Sequence, residues 1–446
     1  MSESFDVLIR GGTVVNHDGI GSRDIGVRAG RIEAIGQLGN ASAPEIIEAR
    51  GLHVLPGVID SQVHFREPGL EHKEDLESGS RAAVAGGVTC VFEMPNTKPL
   101  TTTAETLADK VRRAHHRMFC DFAFYVGGTR ENIGDIPALE NLEGSAGIKV
   151  FMGSSTGDLL VDDETSLDHI IAALSRRAAF HAEDEVRLKE RMHLRRPGDP
   201  SSHPEWRDEQ AALIATTRLV RLAEKHRKRV HVLHISSAAE MAFLADHKQF
   251  ATVEVTPHHL TLAAPDCYER LGTYVQMNPP VRDERHRAAI WAALAYGIVD
   301  VLGSDHAPHT RAEKDVAYPQ SHSGMTGVQT LLPIMLDHVN AGRLSLERLV
   351  DLTAHGPQRI FNIAGKGRIA VGYDADFSIV DLKRREKITN AWIKSRCGWT
   401  PYDGVTVTGW AVGTIVRGRR AMWEGEIARQ ADGESVRFLQ SKNLTA

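Results

Sequence analysis

The 446-residue chain is 42% hydrophobic and 25% charged, the balance of an ordinary globular protein with room for one large and one smaller domain. A formal net charge of −5 gives no reason to expect nucleic acid or an anionic membrane as partner. No apolar run approaches the length of a membrane span, and the opening MSESFDVLIRGG reads as a strand and turn, not as a secretory leader.

From Phe5 onward, apolar and polar residues alternate between Gly and Asp turns, the pattern of a small antiparallel β unit. The same texture returns in GRIAVGYDADFSIVDL and TGWAVGTIVRGRRAMWEGEI near the C-terminus. Residues 1–55 and 365–446 are therefore expected to form one β-sandwich domain built from both termini. Between them, over 56–364, short apolar runs alternate with helical patterns, the signature of repeated βα units. Strands are predicted at 53–59, 88–94, 120–126, 147–151, 178–182, 229–235, 252–256 and 299–304. The fold class is thus α/β, a (β/α)8 TIM-like barrel carrying a small β-sandwich. A doubly wound sheet would show a Gly-rich phosphate turn after its first strand, and GVIDSQVHF is not one. Residues 186–207, charged and rich in Pro, Gly and Ser, read as a surface excursion over the barrel mouth, as a subunit contact, or as a solvated loop. Four separated cysteines, Cys90, Cys120, Cys267 and Cys397, have no CxxC spacing and read as reduced thiols of a cytoplasmic protein.

The candidate chemistry sits at the C-terminal ends of these strands, the face where barrel enzymes place their sites. Gln62 and His64 follow the first strand, Asn96 the second; Lys149 ends the fourth, His181 the fifth, His234 the sixth and Asp305 the eighth. In DSQVHFREPG, Gln62 and His64 are two apart on an extended segment and point the same way; two histidines there would make a metal claw, but the first letter is Gln. His231 and His234 are three apart, which on a strand puts them on opposite faces, so only His234 is expected to look into the barrel. Lys149 has apolar neighbours, and a buried unpaired ammonium is costly. Taken singly, each has an ordinary structural explanation; collected on one rim they indicate a metal site. The GIKVFMGSSTG stretch after the fourth strand suits either a closing loop or a plain βα turn.

With these residues in hand, the chain resembles the amidohydrolase superfamily, and within it the dihydroorotases, over nearly its whole length. The resemblance implies a binuclear zinc centre held by an HxH pair, a carboxylated lysine, two further histidines and an aspartate. The matching positions are Gln62/His64, Lys149, His181, His234 and Asp305. Gln62 departs from the pattern and is expected to be a weak or absent ligand, because a neutral amide oxygen binds zinc less well than imidazole. The words HFREPG, MPNTKP, MNPPVR and SDHAPHT supply Arg66, Asn96, Asn278 and His309, which match residues that grip the substrate's carboxylate and ring amides in that family. A planar guanidinium reads a carboxylate through two parallel hydrogen bonds, so Arg66 makes physical sense.

The implied reaction is the reversible cyclisation of N-carbamoyl-L-aspartate to L-dihydroorotate in de novo pyrimidine (UMP) biosynthesis, with Asp305 as general base. The implied cofactors are one or two Zn2+ per chain and carbon dioxide carried as a carbamate on Lys149. A homodimer and a contact with aspartate transcarbamoylase are further expectations of the resemblance. Two alternatives stand beside it: a hydantoinase- or allantoinase-like enzyme on a related cyclic amide, and a non-catalytic homologue serving as a scaffold for aspartate transcarbamoylase.

Overall fold

The computed structural model describes residues 4–154 and 159–439. Its first sheet is assembled from both ends of the chain. Val7–Asn16 pairs antiparallel with Gly19–Arg28, which turns back into Arg31–Gly36, while Glu45–Glu48 and His53–Pro56 lie parallel to the first strand. His53–Pro56 then pairs antiparallel with Phe377–Lys387, and the sheet continues through Thr406–Val416, Arg419–Trp423 and Glu426–Ile427. The reversal at Ala29-Gly30 has φ of 48° and 75°, and Arg417-Gly418 repeats it at 44° and 76°. Two left-handed residues match the strand twist in a two-residue hairpin, and glycine takes the second place without steric cost. Ile9, Ile25, Val54, Phe377, Ile379 and Ile415 pack into one core, so the two ends of the chain are held by a shared apolar layer.

The barrel strands are Val58–Val63, Val88–Glu93, Asp121–Gly127, Ser145–Phe151, Ala178–His181, Val230–Val232, Ala251–Val255 and Val301–Leu302, each bonded to the next in parallel. Closure comes from a bridge between Val63 and His306, with the His64 N–H donating to the His306 carbonyl at 2.7 Å. Along each strand the side chains alternate. Phe122, Ile148, Phe180 and Val232 pack outward beneath the helices. Ile59, Phe92, Tyr125, Ala179 and Leu233 fill the interior together with Phe361. The fold is the expected (β/α)8 barrel beside a separate mixed sheet.

Three expectations are corrected. The predicted strand 53–59 is two strands: His53–Pro56 belongs to the terminal sheet and Val58–Val63 to the barrel. Gly57 makes the crossing, in a space so tight that a Cβ would lie 2.2 Å from Thr89 Oγ1. Gln62 therefore lies within the first barrel strand, not after it. Second, the sheet does not take in the whole C-terminal segment. Phe122 N–H donates to the Glu434 carbonyl at 3.0 Å, and Val436 N–H returns to Phe122 at 2.9 Å, so residues 433–439 run along the barrel and place Val436 against its interior core. Third, the 186–207 excursion is an ordered brace, not a solvated loop. It contains the helices Glu185–Arg191 and His203–Trp206, and Gly198 N–H bonds the Tyr318 carbonyl at 2.7 Å.

All four cysteines are free and buried. Among the described residues no helix is long and apolar enough to cross a membrane.

Candidate metal centre and active site

Gln62, His64, Arg66, Asn96, Lys149, His181, His234, Asn278 and Asp305 all line one cleft at the C-terminal ends of the strands, with Phe151, Met277, Ser323 and Gly324 completing the wall. The residues predicted from seven separate stretches of chain thus converge, with one exception. His309 stands one layer back. Its Nε2 lies 3.1 Å from the Ser323 carbonyl and 3.3 Å from Arg66 Nη2, and its ring stacks on His322.

Several of these positions are strained. Arg66, His234 and Asp305 have φ of 66°, 39° and 46°. Left-handed backbone at a non-glycine residue costs roughly 1–3 kcal/mol and persists where surrounding structure enforces it. His234 shows what the strain achieves. The sixth strand ends at Val232, so the predicted strand through 235 is too long and the parity argument built on it fails. His231 does face inward: its Nδ1 pairs with Thr252 Oγ1 at 2.9 Å, its Nε2 lies 3.4 Å from Glu254, and it packs edge-on against Phe361. It is a hydrogen-bonded core residue, as expected, but His234 reaches the cleft because the chain leaves the strand and turns there.

His181 Nδ1 and His234 Nε2 are 3.1 Å apart, with the rings at 78°. Two ligands on one tetrahedral zinc, with bonds near 2.0–2.1 Å, sit roughly 3.3 Å apart, so this pair is spaced for a shared metal. His64 Nε2 lies 3.3 Å from Asp305 Oδ1, while His64 Nδ1–H donates to Asn96 Oδ1 at 2.8 Å. That second bond fixes the tautomer and leaves the Nε2 lone pair for the cleft, the usual support of a metal-binding histidine. Burial holds the His64, His181 and His234 imidazoles below their ordinary range, in the neutral form that ligates. Burial alone would raise the Asp305 carboxyl; the adjacent His64 and His234 rings outweigh this and bring it down to about 2, so it is a carboxylate at neutral pH.

Lys149 is 1% exposed, and among the described residues no carboxylate pairs with it. Its Nζ donates to the Val150 carbonyl at 3.1 Å and lies 3.7 Å from the centre of the Phe151 ring. Burial drives its pKa well below the ordinary lysine value, which favours a neutral amine, the nucleophilic form. Gln62 donates from Nε2 to Asp305 Oδ1 at 3.0 Å, and its buried Oε1 has no partner among the described residues. An orphaned carbonyl oxygen at this place, two neutral imidazoles at ligand spacing and an ionised carboxylate together fit a divalent metal.

The Amidohydrolase family matches residues 53–421, and the N-terminal domain of the urease alpha-subunit matches residues 1–55. The chain belongs to the amidohydrolase family. It is 38% identical to a dihydroorotase of Halobacterium salinarum over 93% of this chain and 96% of that one. It is 33% identical to an L-hydantoinase of Paenarthrobacter aurescens over 99% of each. Among solved structures, the L-hydantoinase (dihydropyrimidinase) from Arthrobacter aurescens superposes with a TM-score of 0.92 at 32% identity, covering 97% of this chain and 99% of that one. This amidohydrolase is a cyclic amide hydrolase, in a family that is generally metal-dependent.

The amidohydrolase cleft also depends on residues that the sequence did not single out. Glu183 Oε2 lies 3.0 Å from His181 Nε2, and the Arg207 guanidinium clasps the same carboxylate and holds the Ser154 carbonyl at 2.8 Å. Glu183 follows His181 by two residues in FHAED, the one signal that could have found it. Lys73 Nζ reaches His309 Nδ1 at 3.1 Å and Glu313 at 2.9 Å. His309, Glu313 and His322 bring ligand-type atoms within 4.8 Å of one another. The Lys73 ammonium already stands on His309 and Glu313, so a cation there would have to displace it. This group is a brace behind Arg66. Of the GIKVFMGSSTG loop, residues 155–157 lie outside the described residues.

Proposed function

We propose that this amidohydrolase is a zinc-dependent, cytoplasmic dihydroorotase, closing N-carbamoyl-L-aspartate to L-dihydroorotate and reopening it, within de novo pyrimidine synthesis. The observation that carries this reading is Arg66. The guanidinium is 1% exposed, lines the cleft beside His64, and stays cationic even though burial lowers its pKa to about 10. Its Nε donates to the Pro308 carbonyl at 3.2 Å, and its Nη1 has no partner among the described residues. A buried, unspent guanidinium donor is expensive unless an anion completes it, and dihydroorotate brings one carboxylate.

His181 and His234 would hold one metal and His64 and Asp305 the other, with Lys149, as its carbamate, supplying a further anionic ligand. The neutral Lys149 Nζ would add to the carbon of carbon dioxide with loss of one proton, and would so present an anionic oxygen ligand in place of an amine. When bound, the metals polarise the amide carbonyl and lower the pKa of water. Asp305 takes the proton from the attacking water and hands it to the leaving ring nitrogen; in the ring-closing direction the proton runs back. Arg66 anchors the carboxylate so that the amide carbonyl lies over the histidines.

Steady-state assay of both directions, alongside hydantoin and allantoin, tests the reading. Dihydroorotate should be preferred by about 10²-fold or more in kcat/KM, the scale of one buried charged contact. Preference for an uncharged ring would move the assignment to the hydantoinases, whose structure superposes so closely.

Gln62 makes the first metal position the weaker one, because its amide is bonded to Asp305 through nitrogen and offers only a neutral oxygen. Gln62→His is expected to tighten metal at that position by about tenfold or more while keeping turnover. Metal analysis after mild dialysis reads this; two equally tenacious metals in the unaltered chain would contradict it.

A further inference from the structure

The ordered 186–207 segment carries a histidine that touches the cleft wall from behind. His203 is 2% exposed, and its Nε2 lies 2.9 Å from the Met277 carbonyl and 2.9 Å from Asn278 Oδ1. A carbonyl oxygen can only accept, so Nε2 carries the hydrogen. Nδ1 is then the acceptor, and it faces two donors, Trp206 Nε1 at 3.3 Å and the Tyr318 hydroxyl at 3.4 Å. Trp206 Nε1–H also reaches the Tyr318 oxygen at 2.8 Å, which leaves the hydroxyl hydrogen for His203. Each donor in this buried network has an acceptor. Burial, aided by the neighbouring Arg207 charge, pushes the His203 pKa down to about 3, so the imidazole keeps one hydrogen over the working pH range.

An Nε2–H aimed at Asn278 Oδ1 decides which way the asparagine amide lies. With Oδ1 engaged behind, Nδ2 is the end left for the cleft that Asn278 lines. We propose that His203 is a positioning residue: its Nε2–H orients the Asn278 amide so that Nδ2 faces the cleft and donates to a carbonyl oxygen of the cyclic substrate. This gives the 186–207 segment a specificity role. Through His203 it sets a donor on the substrate wall, and through Arg207 it steadies Glu183 beside His181. The proposal rests on the reading of the cleft as a cyclic amide site.

The test is a double-mutant cycle on the metal-loaded enzyme, run with whichever cyclic amide the unaltered protein prefers. A failure of the dihydroorotase assignment then shows in the substrate panel and leaves this experiment intact. His203→Ala should raise KM about tenfold, the value of one hydrogen bond, with kcat within about threefold. The same change in an Asn278→Ala background should add almost nothing, because the amide it orients is gone. Gln and Glu share a shape but differ in donor capacity, so they test the bond even where the alanine variant does not fold. His203→Gln should restore KM to within about threefold of the unaltered enzyme, and His203→Glu should not. Additive losses in the cycle, a fall in kcat with KM unchanged, or equal KM values for the Gln and Glu variants would each overturn the proposal.

Discussion

Replacing Lys149 with methionine is expected to lower kcat/KM by about 10⁴-fold or more while leaving the metal-free protein as stable as before, or more stable. The two halves of this expectation have different causes. Catalysis fails, on the proposed reading, because methionine cannot carry the anionic oxygen ligand that Lys149 would offer the metals. Stability holds because Lys149 gives the apoprotein almost nothing. It is buried at the end of the strand Ser145–Phe151 with one backbone acceptor and no paired carboxylate among the described residues. A buried amine of this kind costs folding energy, and an apolar side chain of similar length removes the cost. Metal analysis, kinetics and thermal melting of the metal-free protein read the three effects separately. Turnover within tenfold of the unaltered enzyme would end the proposed ligand role, and a sharp drop in melting temperature would mean that Lys149 is a structural residue.

The second large effect is expected at Arg66. Arg66→Ala should cost about 10³-fold in kcat/KM on dihydroorotate but less than tenfold on hydantoin, which has no carboxylate to lose. Arg66→Lys should fall between, because an ammonium is a point charge that cannot make two parallel bonds. The geometry makes the arginine specific. Its backbone is left-handed, with φ of 66°, and Glu67 next to it is anchored by Arg117 at 2.7 Å and by the Leu76 N–H at 3.1 Å. The loop is therefore held in a costly conformation that presents the guanidinium to the cleft. Equal losses on the charged and uncharged substrates would show that Arg66 shapes the pocket without reading the carboxylate.

Much of this site was legible in the chain because barrel topology turns position along a strand into position in space. A polar residue at the C-terminal end of a predicted strand must lie on the mouth. That logic places Lys149, His181 and Asp305 from their neighbours alone. It misplaces the boundary at 53–59, where an uninterrupted apolar run hides the crossing at Gly57 between two sheets. It also reaches His234 by a faulty route, since the strand ends two residues earlier and a left-handed turn supplies the direction. No local pattern marks His203 or Lys73, because each acts on a residue of the cleft wall or its support that is remote in sequence: His203 lies 75 residues from Asn278 and Lys73 lies 236 from His309.

Periodicity and spacing by themselves determine the alternation of strands and helices, the two-ended terminal sheet, and the set of residues gathered on one rim. These follow from short-range rules: side chains alternate along strands, and parallel strands need crossovers. Which of those residues touch, which imidazole nitrogen carries a proton, and what holds Asn278 and Arg66 in place are decided only when distant segments pack. Burial sets the charge state of Lys149 and the histidines, and burial is a property of the assembled molecule, not of any stretch of its chain.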